Sequence, residues 1–149
     1  MSAFTPMNNN QPLRIKSLKD NFEIIRKYIK RKLILHEVKN RSDRENILLA
    51  AMEAVTNISI HGYQNHPGAI EIEVIRQKDS IRIYLRDQAP IFDPQIIEAP
   101  DFSIPLEERP MGGLGIYLIN QMMDRVIHKS LPQGGNELIL VKNISHRES

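Results

Sequence analysis

Residues 53–63 read Glu-Ala-Val-Thr-Asn-Ile-Ser-Ile-His-Gly-Tyr and form the second half of a predicted amphipathic helix. Apolar side chains recur on about one third of this helix surface, which predicts a buried stripe. The residues of the stripe are Ile47, Ala51, Ala54, Val55 and Ile58. Glu53, Asn57 and His61 are four residues apart and share the flank beside the stripe. A carboxylate and a carboxamide one turn apart either remain solvated surface groups or supply a general base and an oxygen ligand for Mg²⁺.

The two ends of this helix carry recognisable signals. Residues 42–45 read Ser-Asp-Arg-Glu, a capping box in which the Ser hydroxyl and the Glu carboxylate bond free amide groups. We expect the helix to continue to about His61 and to stop at Gly62, because a residue without Cβ tolerates a left-handed turn. His61 in the last turn favours a structural role against free carbonyl groups. The other histidines share no ligand spacing, so no zinc site is predicted.

Upstream of the helix, the sequence predicts one strand and one further helix. Apolar and polar residues mix over residues 12–17, which indicates a short edge strand. Asp20 is the expected cap of a helix that runs to about Leu35, with apolar residues three to four apart on one face. Residues 1–11 are polar and are expected to be a disordered lead-in, residues 12–144 a single domain, and residues 145–149 a tail.

Downstream, two hairpins flank a long loop and a third helix. Alternating apolar residues over 70–74 and 81–85, separated by Lys-Asp-Ser, predict an antiparallel hairpin. Residues 89–111 are rich in proline and aperiodic, and a loop of that length often serves as a lid. A helix is predicted after Gly115, followed by a second hairpin over residues 126–131 and 138–144. This order of elements predicts an α+β two-layer sandwich, with helices on one face of a mixed, mainly antiparallel sheet.

Composition excludes several classes of function. The chain has 149 residues, 41% hydrophobic and 26% charged, which suits one globular domain with a sizeable core. The net charge is +2 and the charges are dispersed, so the composition does not indicate nucleic-acid or membrane-surface binding. The absence of Cys excludes disulfides and thiolate catalysis. The polar N-terminus and the lack of a long apolar run predict a cytoplasmic protein.

Two further segments could bind a ligand. Asp87 follows the second predicted strand directly, where its carboxylate can cap a turn or accept a hydrogen bond from an exocyclic amine. Residues 112–115 read Gly-Gly-Leu-Gly at the start of the third helix. Glycines let a backbone approach an anion closely, and a helix N-terminus favours phosphate, although the same cluster can be only a hinge.

Taken in order and spacing, three segments resemble the N box and the two glycine boxes of the GHKL ATP-binding superfamily, which includes gyrases, histidine kinases and mismatch-repair ATPases. The segments are residues 53–63, residues 87–94 (Asp-Gln-Ala-Pro-Ile-Phe-Asp-Pro) and residues 112–115. The run from Asn57 to Tyr63 and the small size are similar to the anti-sigma-factor serine/threonine kinases within that superfamily. The resemblance covers roughly residues 12 to 144.

This resemblance implies roles for individual residues. Glu53 corresponds to the catalytic base, Asn57 to the Mg²⁺ ligand, and Asp87 to the carboxylate that binds the adenine amino group. The remaining residues implied to bind ATP, beyond Asn57 and Asp87, are Ala89, Phe92, Arg109, Gly112, Gly113, Leu114, Gly115 and Asn136. Arg109 is placed like a family arginine that reaches the terminal phosphate, and its alternative is a solvated charge of the lid.

Two positions depart from the family pattern. Ala89 stands where the first glycine box usually has Gly, and its methyl group is tolerated if φ is negative but strains the turn if φ is positive. Asn136 stands where the family often has a Thr near the adenine, and its carboxamide can still donate and accept hydrogen bonds. Both changes bear on affinity and adenine geometry more than on the type of reaction.

The resemblance implies an ATP- and Mg²⁺-dependent protein serine/threonine kinase that acts as an anti-sigma factor, or equivalent regulator, in a partner-switching pathway. Its substrate would be an anti-sigma-factor antagonist, and its other partner a sigma factor or equivalent target. The alternative is a non-catalytic nucleotide-binding module that sequesters the sigma factor. The presence of Glu53 argues against this alternative, whereas Ala89 keeps it open.

A histidine kinase is a further alternative, because His36 begins a stretch similar to a phosphoacceptor box. Too few residues separate His36 from the next helix for the two-helix hairpin that such a kinase needs. The predicted edge strand near residues 13–17 would leave open backbone groups, and family members of this size are typically homodimers. The resemblance therefore implies a homodimer joined through the N-terminal strand.

Overall fold

The computed structural model describes residues 11–90, 103 and 113–144. Its three helices are α1 (Phe22–Leu35), α2 (Arg41–Asn57) and α3 (Gly113–Met122). Its five strands are β1 (Leu13–Ile15), β2 (Ile70–Gln77), β3 (Ser80–Asp87), β4 (Arg125–Ser130) and β5 (Asn136–Asn143). No helix in these ranges is long and apolar enough to cross a membrane.

The strands form a single sheet in the order β1-β2-β3-β5-β4. Each pairing is antiparallel. The β2–β3 hairpin turns at Lys78, whose φ of 52° lies in the left-handed region. Both predicted hairpins and the short N-terminal strand are therefore confirmed, as is the α+β fold.

Two exposed residues of these connections adopt a positive φ. Glu37, which follows α1, has a φ of 58°, and Lys78, between β2 and β3, has a φ of 52°. Positive φ values are uncommon outside glycine and are found mainly in turns. Both residues therefore mark the points at which the chain reverses.

The core lies between the helices and one face of the sheet. From the sheet, Ile72, Ile83, Leu85 and Leu140 are fully buried. From the helices, the predicted stripe of α2 packs against them together with apolar residues of α1. All five residues of the predicted stripe are buried, so the stripe is confirmed.

The other face of the sheet carries an ionic cluster around Arg86. This guanidinium donates to Glu71, Glu73 and Glu137, and so links strands β2, β3 and β5. Burial alone would raise the pKa of Glu71, but its hydrogen bonds from Arg86 and Arg14 outweigh that effect and lower it. The cluster ties the middle strands together on the side away from the helices.

The structure corrects both predicted helix caps. Asn21, and not Asp20, occupies the N-cap position of α1, and its side chain makes no capping hydrogen bond. Asp20 instead accepts a hydrogen bond from Ser17 Oγ at 2.9 Å. At α2, Asn40 is the N-cap and its Oδ1 accepts from the Asp43 backbone N–H at 2.9 Å. Ser42 lies inside the helix, so the predicted capping box does not form.

The helical segment that begins with α2 ends at Gly62, as predicted, but its last turn is not α-helical. After Asn57 the chain widens into a π-helical turn, Ile58–Gly62. Gly62 does not have a positive φ, so the expected left-handed turn is wrong. A Cβ at this position would lie 3.2 Å from the Cβ of Ala89, so close packing is the constraint on Gly62. Helix α3 begins at Gly113, whereas the sequence predicted a helix only after Gly115.

Candidate functional site

Helix α2 and the first turn of α3 meet at Gly115. A methyl group at Gly115 would lie 2.9 Å from Glu53 Oε2, and 3.4 and 3.5 Å from the two polar atoms of the Asn57 carboxamide. The contact distance to the carboxylate is shorter than real Cβ contacts, so the glycine leaves the space that these two side chains occupy. The structure thus brings together Glu53, Asn57 and Gly115, which sequence analysis placed in two separate motifs.

Asn57 is buried without a full set of hydrogen bonds. The residue is 4% exposed, and its Nδ2 has no hydrogen-bond partner in the part of the chain that the structure describes. An unsatisfied buried donor costs about 1–3 kcal/mol, so such groups are uncommon away from functional sites. The carboxamide also lies near the N-terminus of α3, where free backbone amides and the helix dipole favour an anion. The surroundings of Asn57 therefore suit a ligand that brings hydrogen-bond acceptors.

Asp87 is the last residue of strand β3. Its side chain is 4% exposed, and its Oδ1 accepts a hydrogen bond from the Ala89 backbone N–H at 2.9 Å. Burial raises the pKa of the Asp87 carboxyl, and hydrogen bonds from Asn136 and Ala89 partly offset this rise. The carboxylate thus caps the turn, which is one of the two roles that its sequence position left open, and it is buried.

Asn136 begins strand β5 beside Asp87. Its Nδ2 donates to Asp87 Oδ1 at 3.0 Å, and also lies 3.3 and 3.2 Å from the carbonyl oxygens of Ala89 and Pro90. The side chain is 3% exposed. The carboxamide at this position therefore makes contacts that hold the Asp87 carboxylate and the following turn together.

One pocket is lined both by Asn57, which lies beside Glu53, and by Asp87, and these two parts of it are termed the Glu53 end and the Asp87 end. The pocket is open to solvent and mostly apolar, as ligand sites commonly are. Its polar lining includes Asn57, Asp87, Asn120, His128 and Asn136. Its apolar lining is Ala54, Ile58, Ile116, Ile119, Val126 and Leu138. An apolar slot with a buried carboxylate at one side suits a flat ring that carries an amino group.

His128 is a residue that sequence analysis missed. Its Nε2 lies 2.8 Å from Asn136 Oδ1, and its ring lines the pocket. The sequence offered one signal: alternation along the second hairpin places His128 on the same face as Val126. The pairing with Asn136 depends on the strand register, which spacing alone does not give.

Tyr63, the last residue of the quoted stretch, supports the Asp87 turn. Its hydroxyl donates to the Ala69 carbonyl at 2.5 Å and accepts from the Gln88 backbone N–H at 2.8 Å. Its ring passes so close to Gly68 that a Cβ there would overlap it. Gly135 likewise has a φ of +91° and approaches the backbone of Asp87 and Gln88 too closely for a side chain.

The conformation of Ala89 shows how the chain accommodates an alanine where the first glycine box usually has Gly. Its φ is not positive, so the methyl group does not strain the turn. The residue is 1% exposed and packs against Gly62, outside the lining of the pocket. The methyl group is therefore accommodated away from the space that a ligand ring would take.

The remaining residues that were predicted to bind the nucleotide lie in or next to the predicted lid. Phe92, Arg109 and Gly112 lie outside the described residues, as does almost all of the predicted lid. Gly113 and Leu114 form the first two residues of α3. Within the described ranges, no three His, Cys, Asp or Glu side chains cluster in a way that could hold a metal ion. A Mg²⁺ site with one protein ligand does not need such a cluster, because Mg²⁺ keeps waters and binds substrate phosphates.

Comparison with known proteins agrees with this fold. Residues 15–142 match the family described as Histidine kinase-like ATPase domain. The chain therefore belongs to the histidine kinase-like ATPase family, which confirms the resemblance to GHKL proteins.

Within curated proteins, the chain is similar to serine-protein kinases. It is 32% identical over 110 residues to serine-protein kinase RsbW of Bacillus cereus strain AH187, covering 71% of this chain and 68% of that protein. The same coverage is found with serine-protein kinase RsbW of Bacillus thuringiensis subsp. konkukian, at 32%, and of Bacillus mycoides, at 30%. A domain of this family implies ATP binding.

Proposed function

We propose that this protein is an ATP- and Mg²⁺-dependent protein serine/threonine kinase that acts as an anti-sigma factor, or equivalent regulator, in a partner-switching pathway. The observation that carries the proposal is the meeting of Glu53, Asn57 and Gly115 beside a pocket that both Asn57 and Asp87 line. The similarity to serine-protein kinases supports the type of reaction.

At the base-binding end, Asp87 recognises the adenine. Its buried carboxylate accepts a hydrogen bond from the exocyclic amine, while the apolar walls of the pocket enclose the ring. A purine with an oxygen in place of that amine would face the carboxylate with a second acceptor. Asn136 and the turn through Ala89 hold the carboxylate in place, so the base is bound by groups that are already ordered.

At the phosphate end, the residues present fit a Mg²⁺-bound triphosphate. The unpaired Nδ2 of Asn57 can donate to a phosphate oxygen, and the space over Gly115 would be filled by any side chain. Asn57 Oδ1 would hold the metal, and the amides of the first turn of α3, from Gly113 to Gly115, would bind phosphate oxygens. Mg²⁺, when bound, supplies charge neutralisation at the transferred phosphoryl group.

Glu53 is the proposed catalytic base. Its carboxylate lies beside both Asn57 and the N-terminus of α3, and therefore near the place where the terminal phosphate would be bound. There it would accept the proton of the attacking Ser or Thr hydroxyl. Arg109, Gly112, Leu114 and Phe92 remain proposed contacts of the nucleotide, on the strength of the family motifs.

The proposed protein partners are an anti-sigma-factor antagonist, phosphorylated on Ser or Thr, and a sigma factor or equivalent target. Phosphate would weaken antagonist binding, because it adds about −1.5 to −2 charge at an interface made for a neutral hydroxyl. We further propose one domain over residues 12–144, and a homodimer joined near β1, which pairs with β2 through only three residues and is an edge strand.

The proposal is tested by phosphate transfer. Purified protein is incubated with Mg²⁺ and ATP labelled in its terminal phosphate, together with candidate antagonist proteins from the same cells. Acid-stable label on a Ser or Thr of a small protein is the expected result. Nucleotide and antagonist binding without transfer would favour the sequestration module instead, and acid-labile label on His36 would favour a histidine kinase.

A further inference from the structure

A chain of hydrogen bonds leads from the edge strand β4 to the Asp87 carboxylate. His128 Nε2 contacts Asn136 Oδ1 at 2.8 Å, and Asn136 Nδ2 donates to Asp87 Oδ1 at 3.0 Å. In the sheet, His128 pairs with Leu138, and Ser130 with Asn136, so His128 and Asn136 are diagonal neighbours on the face toward the helices. Long side chains in such positions can reach one another.

The direction of these hydrogen bonds follows from the surroundings of Asn136. Its amide nitrogen faces three acceptors, which are Asp87 Oδ1 and the carbonyl oxygens of Ala89 and Pro90. The reversed carboxamide would place its oxygen against all three, and is therefore unfavourable. Asn136 Oδ1 must then point at His128, so His128 Nε2 is the donor and carries a proton.

The consequence for Asp87 concerns which of its oxygens remains available. The described hydrogen bonds to this carboxylate, from Ala89 N–H and from Asn136 Nδ2, both end on Oδ1. Oδ2 accepts from no described residue and is left for a ligand. The orientation of Oδ2 is thus set by Asn136, and the orientation of Asn136 is set in part by His128.

We propose that His128 is a positioning residue for recognition of the exocyclic amine of adenine, acting through Asn136 on Asp87. The inference rests on the proposed nucleotide site and adds to it a residue that determines base specificity. It also accounts for the carboxamide at position 136, because this group can accept from His128 and donate to Asp87 at the same time. A hydroxyl at this position has a single hydrogen to donate. It would therefore lack the contacts that the amide nitrogen makes with the carbonyl oxygens of Ala89 and Pro90 in addition to Asp87.

The test compares ATP with inosine triphosphate, whose base has an oxygen where adenine has the amine. Dissociation constants are measured by calorimetry for the wild type, His128→Leu and His128→Gln. His128→Leu removes the donor, and should lower the preference for ATP over inosine triphosphate by about 3- to 10-fold. His128→Gln places an amide N–H near the position of Nε2, and should restore most of the preference. His66→Leu, at an exposed loop position, is the matched control and should not change it.

The outcomes separate this inference from the proposed function. If the wild type does not prefer ATP, the assignment of Asp87 to adenine is wrong and the proposed function loses its base site. If the wild type prefers ATP and His128→Leu keeps the same preference, the inference is overturned alone. An equal loss of affinity for both nucleotides would mean a structural role, and failure of His128→Gln to restore the preference would exclude the donor role.

Discussion

At the Asp87 end of the pocket, buried polar side chains are bonded to one another, whereas at the Glu53 end a buried amide has no partner. Asp87 and Asn136 are 4% and 3% exposed and share a network that includes the backbone of Ala89. Asn57 is equally buried, yet its Nδ2 makes no hydrogen bond. The buried polar groups are therefore hydrogen-bonded at the Asp87 end of the pocket and incompletely hydrogen-bonded at the Glu53 end.

This difference indicates that the two ends contribute to ligand binding in different ways. A network that is satisfied before the ligand arrives keeps its geometry, so it can discriminate between bases at little cost in ordering. An unsatisfied end gains its missing interactions only when phosphates and metal arrive. We therefore expect substitutions at the Asp87 end to change affinity for the base, and substitutions at the Glu53 end to change phosphate-dependent properties.

The largest effect is expected from Glu53→Gln. The amide keeps the shape of the side chain but cannot accept a proton, so the rate of phosphate transfer should fall by about 10²- to 10⁴-fold while ATP affinity is retained. Initial rates and calorimetric titrations check both quantities. Glu45→Gln, an exposed position on the same helix, is the control and should leave both unchanged. An undiminished rate in Glu53→Gln would remove Glu53 from the mechanism.

Asp87→Asn should have the next largest effect, and at the opposite end. The amide oxygen can still accept from Ala89 and Asn136, but the amide nitrogen would then oppose the adenine amine, donor against donor. We expect adenosine affinity to fall by about 30- to 150-fold, equivalent to about 2–3 kcal/mol. Asp79→Asn in the β2–β3 turn is the control. Equal adenosine affinity in wild type and Asp87→Asn would show that the base binds elsewhere.

Asn57→Ala should have a smaller effect that depends on the metal. Loss of the carboxamide oxygen should lower ATP affinity by roughly tenfold in Mg²⁺ and leave adenosine affinity unchanged. Because Nδ2 is unpaired, no hydrogen bond within the protein is lost from this atom, and the melting temperature should change little. Asn46→Ala on the same helix is the control. A similar loss for adenosine would contradict the division between the two ends.

The smallest effect is expected from Ala89→Gly, which restores the usual residue of the family. The methyl group packs on Gly62 and not in the pocket, so adenosine affinity should stay within about threefold. The free energy of unfolding should fall by about 0.4–1 kcal/mol, because glycine gives the unfolded chain more freedom. Denaturant unfolding and calorimetry measure the two. A large gain in affinity would instead support the view that Ala89 impairs the site.

The elements that sequence analysis predicted well are those that bury one face. The stripe on α2 and the alternation in both hairpins appear in the sequence because burial selects apolar residues at the period of the element. Both pairs of hairpin strands and the helix from Arg41 onward follow this pattern. The order of the three motifs also indicated the family, and the match of residues 15–142 to the histidine kinase-like ATPase domain confirms it.

The details that sequence analysis missed depend on local competition or on long-range packing. Ser42 and Asn40 both suit an N-cap, and only the structure shows that the helix begins early enough for Asn40 to be used. Gly62 was expected to have a left-handed φ, but the π-helical turn and the contact with Ala89 explain it instead. The contacts of Gly115 with Glu53 and of His128 with Asn136 arise from packing and register, which no single segment encodes.

One measurement tests the division of the site most directly: calorimetric titration of the wild-type protein with ATP and with adenosine, each with and without Mg²⁺. Adenosine should bind with the same affinity in both conditions, because the Asp87 end needs no metal. ATP should bind more tightly in Mg²⁺ than without it, because the Glu53 end is completed by phosphates and metal together. If neither ligand binds, or if Mg²⁺ changes the affinity for adenosine as much as that for ATP, the account of a single nucleotide site with two distinct ends is contradicted.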